Sequence, residues 1–126
     1  MDAFLTPDLV RAIHDEVLNP GELPGEALNK SLEGALARVD NRLAYGLLGD
    51  VFDLAAAYTV AIATGHVFND GNKRTAHQTM DVALTVHGIE IDWDTEEVGQ
   101  KIIATAQGIV DEVELAEWLR GKAGGP

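Results

Sequence analysis

Cysteine is absent from this chain. That excludes a disulfide scaffold, thiol catalysis and a cysteine-based zinc site, and it fits a reducing cytosol. Basic residues are scarce: 9 Lys and Arg stand against 21 Asp and Glu, for a formal net charge of −12. A surface this acidic repels phosphate backbones, which argues against direct nucleic-acid binding. The charge also serves plain solubility, but it means that any phosphate ligand needs a local cationic site. No uncharged apolar run reaches the roughly 20 residues that a bilayer-spanning helix requires. The stretch from Met1 to Glu16 lacks the basic-then-apolar order of a secretory signal. The expectation is a cytoplasmic protein without a membrane partner. The GxxxxGK phosphate loop, the GxGxxG dinucleotide turn and the HExxH zinc helix are missing too. What remains is a chain of 126 residues, 46% of them hydrophobic, which suits one globular domain over 1–126.

The apolar spacing predicts an all-α fold of about five to seven helices with a buried central helix. Thr6-Pro7-Asp8 is a helix start, with a capping hydroxyl, proline in the first turn and an acid beside it. Leu9, Ile13 and Val17 then mark one face. His14 reads as a surface or boundary residue of that helix. Residues 19–26, NPGELPGE, are rich in breakers and form a loop. Helical spacing resumes from Ala27 to Tyr45, with Leu28, Leu32, Leu36, Val39 and Leu43 on one side. Residues 50–64 are apolar nearly all round, as expected of a helix buried on every face, and Gly65 is its expected stop. A following helix should start near Gly71 or Asn72 and run to His87, where the imidazole can meet the helix dipole. Residues 89–93 read as an extended connector. Asp94 with Glu97 and Asp111 with Glu114 have the spacing of N-terminal capping boxes. Leu115, Trp118 and Leu119 form the core face of the last helix, and 121–126 read as a frayed tail.

The segment with most chemistry is 66–76, HVFNDGNKRTA. It leads into a helix N-terminus, whose first N–H groups lack partners and whose dipole favours an anion. Gly71 lets backbone approach a phosphate without a Cβ in the way. Asn72 offers a side-chain donor, Lys73 a point charge and Arg74 a planar fork for two phosphate oxygens. Asp70 suits a magnesium ion, which prefers hard carboxylate oxygen. His66 is placed to take the proton from an attacking hydroxyl. Phe68 should point into the core and pin the loop. Each residue also has a plainer reading. His66 and Asp70 fit a loop hydrogen bond or a pair of transition-metal ligands, and Lys73 with Arg74 fit a solvated helix edge.

The order of these residues resembles the signature of the Fic/Doc family, HxFx(D/E)GNxR. His66, Phe68, Asp70, Gly71, Asn72 and Arg74 match every fixed position. Lys73 and Thr75-Ala76 resemble the Doc, or death-on-curing, branch. SLEGALARVDNRLAYG, residues 31–46, is similar to the segment ahead of the central helix in Doc-like toxins, and the acidic last helix with Trp118-Leu119-Arg120 fits as well.

The resemblance implies a Fic-like helical fold and, for most members, AMP transfer from ATP to a protein hydroxyl. AMP-transferring members usually carry glycine where Lys73 stands and a second arginine where His77 stands. His77 itself is left without an assigned role. The Doc branch resembles a protein kinase, moving the γ-phosphate of ATP to a threonine of elongation factor Tu and stopping translation. Lysine in place of a small residue crowds the usual nucleotide pose and favours ATP presenting its γ-phosphate. The resemblance therefore implies a toxin kinase using ATP and Mg2+, with His66, Asp70, Lys73 and Arg74 catalytic. Gly71, Asn72, Lys73 and Arg74 would bind nucleotide, and Asp70 the metal. It also implies a Phd-like antitoxin partner and a flap ahead of the motif, for which 19–26 is the candidate. The alternatives are AMP transfer, or a non-catalytic domain that mainly binds its antitoxin.

Overall fold

The structure, a computed structural model, describes residues 5–124. Six α-helices lie among them: α1 (Pro7–Val17), α2 (Leu32–Ala44), α3 (Val51–Gly65), α4 (Asn72–Val86), α5 (Thr95–Ala106) and α6 (Glu112–Ala123). Extended pairing among the described residues is limited to one antiparallel bridge, Glu26 with Phe68.

The apolar sequence of α3 decides the architecture. Leu54, Ala55, Ala56, Ala57, Tyr58, Ile62 and Ala63 are all buried, so α3 must be covered on all sides. It is packed by α4, α6, α2 and α5. The run of alanines lets these neighbours approach closely, and Leu36, Met80, Leu84, Leu115 and Leu119 fill the gaps. Each such leucine contributes about 1.5–3 kcal/mol when taken from water. The two buried polar side chains of α3 are satisfied. The Thr59 hydroxyl donates to the Ala55 carbonyl at 2.7 Å, and the Tyr58 hydroxyl to Asp40 of α2 at 2.5 Å.

Local chemistry sets the helix ends. Thr6, Ser31, Asp50, Asp94 and Asp111 each cap their helix with a side-chain oxygen. Asp94 caps α5, but the reciprocal box is complete only at Asp111–Glu114. Arg120 of α6 fastens the start of α3, donating from Nε to Asp50 at 3.0 Å and from an Nη to Asp53 at 2.7 Å. This fork holds the Asp50 carboxyl below its ordinary range.

Several expected boundaries move. Residues 27–30 are not helical, because Ser31 caps α2 four residues later. Leu28, assigned to the apolar side, is instead 88% exposed. Gly65 is the last residue of α3, and His66 takes the left-handed position after it. Residues 89–93 form the expected connector to α5 without regular structure. Gly121 to Ala123, expected to fray, complete α6, and 125–126 of that tail lie outside the described residues. His14, expected at the surface, is 1% exposed. The stripe of α1 runs Val10, Ile13, His14, Val17, and His14 lies inside it.

Candidate active site

Between the buried α3 and the start of α4, the chain must reverse within six residues. His66 begins the reversal with φ 50° and ψ 40°, a left-handed conformation that a non-glycine residue holds only against some strain. Val67 and Phe68 then turn inward and are buried. Asn72 closes the loop on itself, accepting from the Phe68 N–H at 3.0 Å and donating to the Phe68 carbonyl at 2.9 Å. The side chain expected to offer a ligand donor is thus also the brace of the turn. Gly71, at φ 79°, sits at the N-cap of α4 and has no side chain with which to cap it. The first-turn N–H groups of α4 therefore lack the capping partner that each of the other five helices has.

That open end faces a cleft of about 570 Å³ lined by His66, Asp70, Gly71, Asn72, Lys73 and Arg74. All six residues expected to form the site come together here. His66, Lys73 and Arg74 are exposed, and Asp70 is half-buried. One Asp70 oxygen accepts from the Leu23 N–H at 2.7 Å. Arg74 departs from the expected free phosphate fork. Its Nε donates to the Val17 carbonyl at 3.0 Å, and an Nη pairs with Glu22. The Glu22 carboxyl is held below its usual range, first by Arg74 and then by the Asn19 N–H. Arg74 therefore clasps the end of α1 and the following loop while lining the cleft.

The loop 19–26 borders the site. The Asn69 N–H donates to the Gly25 carbonyl at 3.2 Å and the Ala27 N–H to the Val67 carbonyl at 2.7 Å. The Asn69 side chain adds a bond to the Pro24 carbonyl at 3.1 Å. Leu23 nonetheless stays 62% exposed beside Asp70. His77 is absent from the cleft lining. It is half-buried, edge-on to Trp93 at 5.6 Å, and burial lowers its pKa despite Asp81 nearby. His87 follows α4, its Nδ1 2.9 Å from the Ala83 carbonyl, at the end where the dipole is negative.

Two independent likenesses accompany this geometry. Residues 4–84 match the Fic/DOC family. The chain is also 34% identical over 117 residues to the protein kinase doc of Escherichia phage P1, covering 92% of each chain. The chain belongs to the Fic/DOC family. The family match runs from α1 into the last turn of α4 and so contains every residue of the 66–76 segment. The relative's coverage extends the likeness into the helices that pack behind it.

Sequence reasoning missed four contributors. Glu22 lines the cleft from the preceding loop, and Ala106 and Gln107 from the end of α5. His14 supports the motif from beneath, with Nε2 2.7 Å from the Asp70 carbonyl. Only His14 left a signal, since it falls in the apolar stripe of its helix. No helix among the described residues is long and apolar enough to cross a membrane.

Proposed function

We propose that this chain is a toxin kinase, which transfers the γ-phosphate of ATP to a serine or threonine hydroxyl of a translation factor. The observation that carries the reading is the uncapped N-terminus of α4, opening into a cleft between His66, Asp70 and Lys73. The kinship to a protein named as a kinase supports it. In the proposed step, His66 takes the proton of the attacking hydroxyl. The hydroxyl oxygen forms a bond to the γ-phosphorus while the bond to the β-bridging oxygen breaks, and ADP leaves. The charge on the γ-phosphoryl oxygens falls to Lys73 and to the first-turn N–H groups of α4, with Arg74 contributing where Glu22 yields. Such preorganised donors supply most of the help that phosphoryl transfer needs.

The residues present suit a magnesium ion. Asp70 has one oxygen engaged by Leu23 and the other without a hydrogen bond among the described residues. Asp70 would hold the metal, which when bound neutralises phosphate charge. Lys73 and the absence of His77 from the cleft favour phosphoryl over AMP transfer. The loop 19–26 is the proposed flap for the target chain, with Leu23 its exposed apolar contact.

The Doc-branch resemblance of the 66–76 motif makes elongation factor Tu the proposed target and a Phd-like antitoxin the proposed partner. An apolar groove of about 330 Å³ between α1 and α4, lined by Ile13, Val17 and Val82, is the surface we assign to an amphipathic antitoxin segment. With a net charge of −12 on this chain, its association rate with a basic segment should fall as salt rises. The deciding experiment is label transfer to a cell extract from γ-labelled or α-labelled ATP. Transfer from the γ-position alone supports the kinase, and transfer from the α-position overturns it in favour of AMP transfer. No transfer from either, by a folded chain, favours a domain that only binds its partner.

A further inference from the structure

His14 occupies a place where packing alone would select leucine or phenylalanine. It is 1% exposed and lies in the apolar stripe of α1. Its ring stacks on Phe68, with centroids 3.9 Å apart and planes 7° from parallel. Its Nε2 meets the Asp70 carbonyl oxygen at 2.7 Å. A carbonyl only accepts, so Nε2 must carry a proton and donate it. The Cδ2 of the same ring lies 3.6 Å from where a Cβ on Gly71 would stand. One side chain therefore grips the motif loop at three successive features: the Phe68 ring, the Asp70 carbonyl and the face of Gly71.

That grip bears on the chemistry through the peptide between Asp70 and Gly71. Holding its carbonyl toward α1 turns the Asp70 carboxylate the other way, into the cleft and onto the Leu23 N–H at 2.7 Å. The same peptide sets the left-handed φ of 79° at Gly71, from which α4 departs with its N–H groups open. We propose that His14 is a positioning residue for the transfer reaction, acting through the Asp70–Gly71 peptide on both the acidic group and the anion-binding helix end. This inference rests on the kinase reading above. Its ring nitrogen gives the loop an orientation that stacking on Phe68 alone would leave undefined.

Two variants separate orientation from packing. His14→Phe keeps the stacked ring and loses the donor. His14→Gln loses the ring and keeps an N–H near the position of Nε2. His14→Phe should lower the rate of γ-label transfer by about 10–100-fold, the size of effect expected when a supporting group lets a reactive one drift. It should also speed hydrogen exchange at the Leu23 N–H. His14→Gln should recover most of the rate even if its Tm is the lower of the two. A folded His14→Phe with wild-type transfer and exchange would overturn the proposal. So would rates that follow Tm alone in both variants.

If the wild-type chain transfers no label, the kinase reading fails by itself, and exchange at Leu23 still decides whether His14 orients the loop. The wild-type protein supplies a reading that needs no variant. Nitrogen-15 shifts of the His14 ring should show Nε2 protonated. A ring protonated at Nδ1 alone would set two acceptors face to face and would overturn the proposal.

Discussion

The N-termini of α3 and α4 are built in opposite ways. At α3, Asp50 supplies its own cap, accepting from the Asp53 N–H at 2.9 Å, and Arg120 then locks that carboxylate in place. At α4, Gly71 offers no side chain and the helix opens on a cleft. The first arrangement satisfies the helix end internally and leaves it chemically inert. The second leaves donors unpaired beside Lys73, an arrangement that favours folding less and anion binding more. Stability and chemistry thus sit at the two ends of the buried rod α3, the first at its N-terminus and the second at the turn that leads from it into α4.

The sharpest way to break this contrast is at His66. His66→Ala should reduce γ-label transfer by about 10²–10⁴-fold while leaving Tm unchanged or slightly lowered, because alanine holds the left-handed conformation no more easily than histidine. Full transfer by a folded His66→Ala chain would remove it from the mechanism. Putting an acid at the open end of α4 should come next in size. Gly71→Asp adds a negative charge at this helix end, its Cβ standing on the His14 and Leu18 side of the loop, and ATP affinity should fall by at least about 10-fold. Calorimetry with ATP and magnesium checks this, and unchanged affinity would mean that the open helix end is not the anion site.

The reverse test removes the cap that α3 possesses. Asp50→Ala should lower stability by about 1–2 kcal/mol, read from denaturant midpoints, and leave the transfer rate per folded molecule intact. Loss of transfer in the folded state would deny that the two ends are separate. Lys73→Gly should slow γ-transfer by several-fold, and any α-label then transferred would mark Lys73 as the selector of nucleotide pose. Wild-type transfer by Lys73→Gly would free it of that role.

The smallest effect concerns pH. Burial lowers the pKa of His77, so the unfolded chain binds the proton more readily. Stability should decline as pH falls below the ordinary histidine value, about 6.5, toward the depressed one. His77→Phe should flatten that part of the stability profile, measured by denaturant midpoints between those values. A profile identical to wild type would show that His77 does not contribute.

Much of this was legible in the residue order. Local rules act over three or four positions, so the caps at Thr6, Asp94 and Asp111 and the central position of α3 followed from spacing and polarity. The motif placed His66, Asp70 and Gly71 at one turn for the same reason. Spacing failed where distant elements compete for a residue. Leu28 looked apolar enough for a helix face, but the pairing of Ala27 with Val67 draws that stretch toward the motif loop and leaves Leu28 in water.

By itself, then, the sequence determined the helical class, the family signature and the chemical types gathered at residues 66–76, because each depends on neighbours along the chain. Tertiary structure alone decided that His14 lies buried beneath Asp70, that Arg74 is clasped by Glu22 and Val17, and that His77 turns away from the cleft toward Trp93. Those contacts join residues 16 to 57 positions apart. No local pattern encodes such a pairing; it arises when α1, the loop 19–26 and the 89–93 connector are folded against α4.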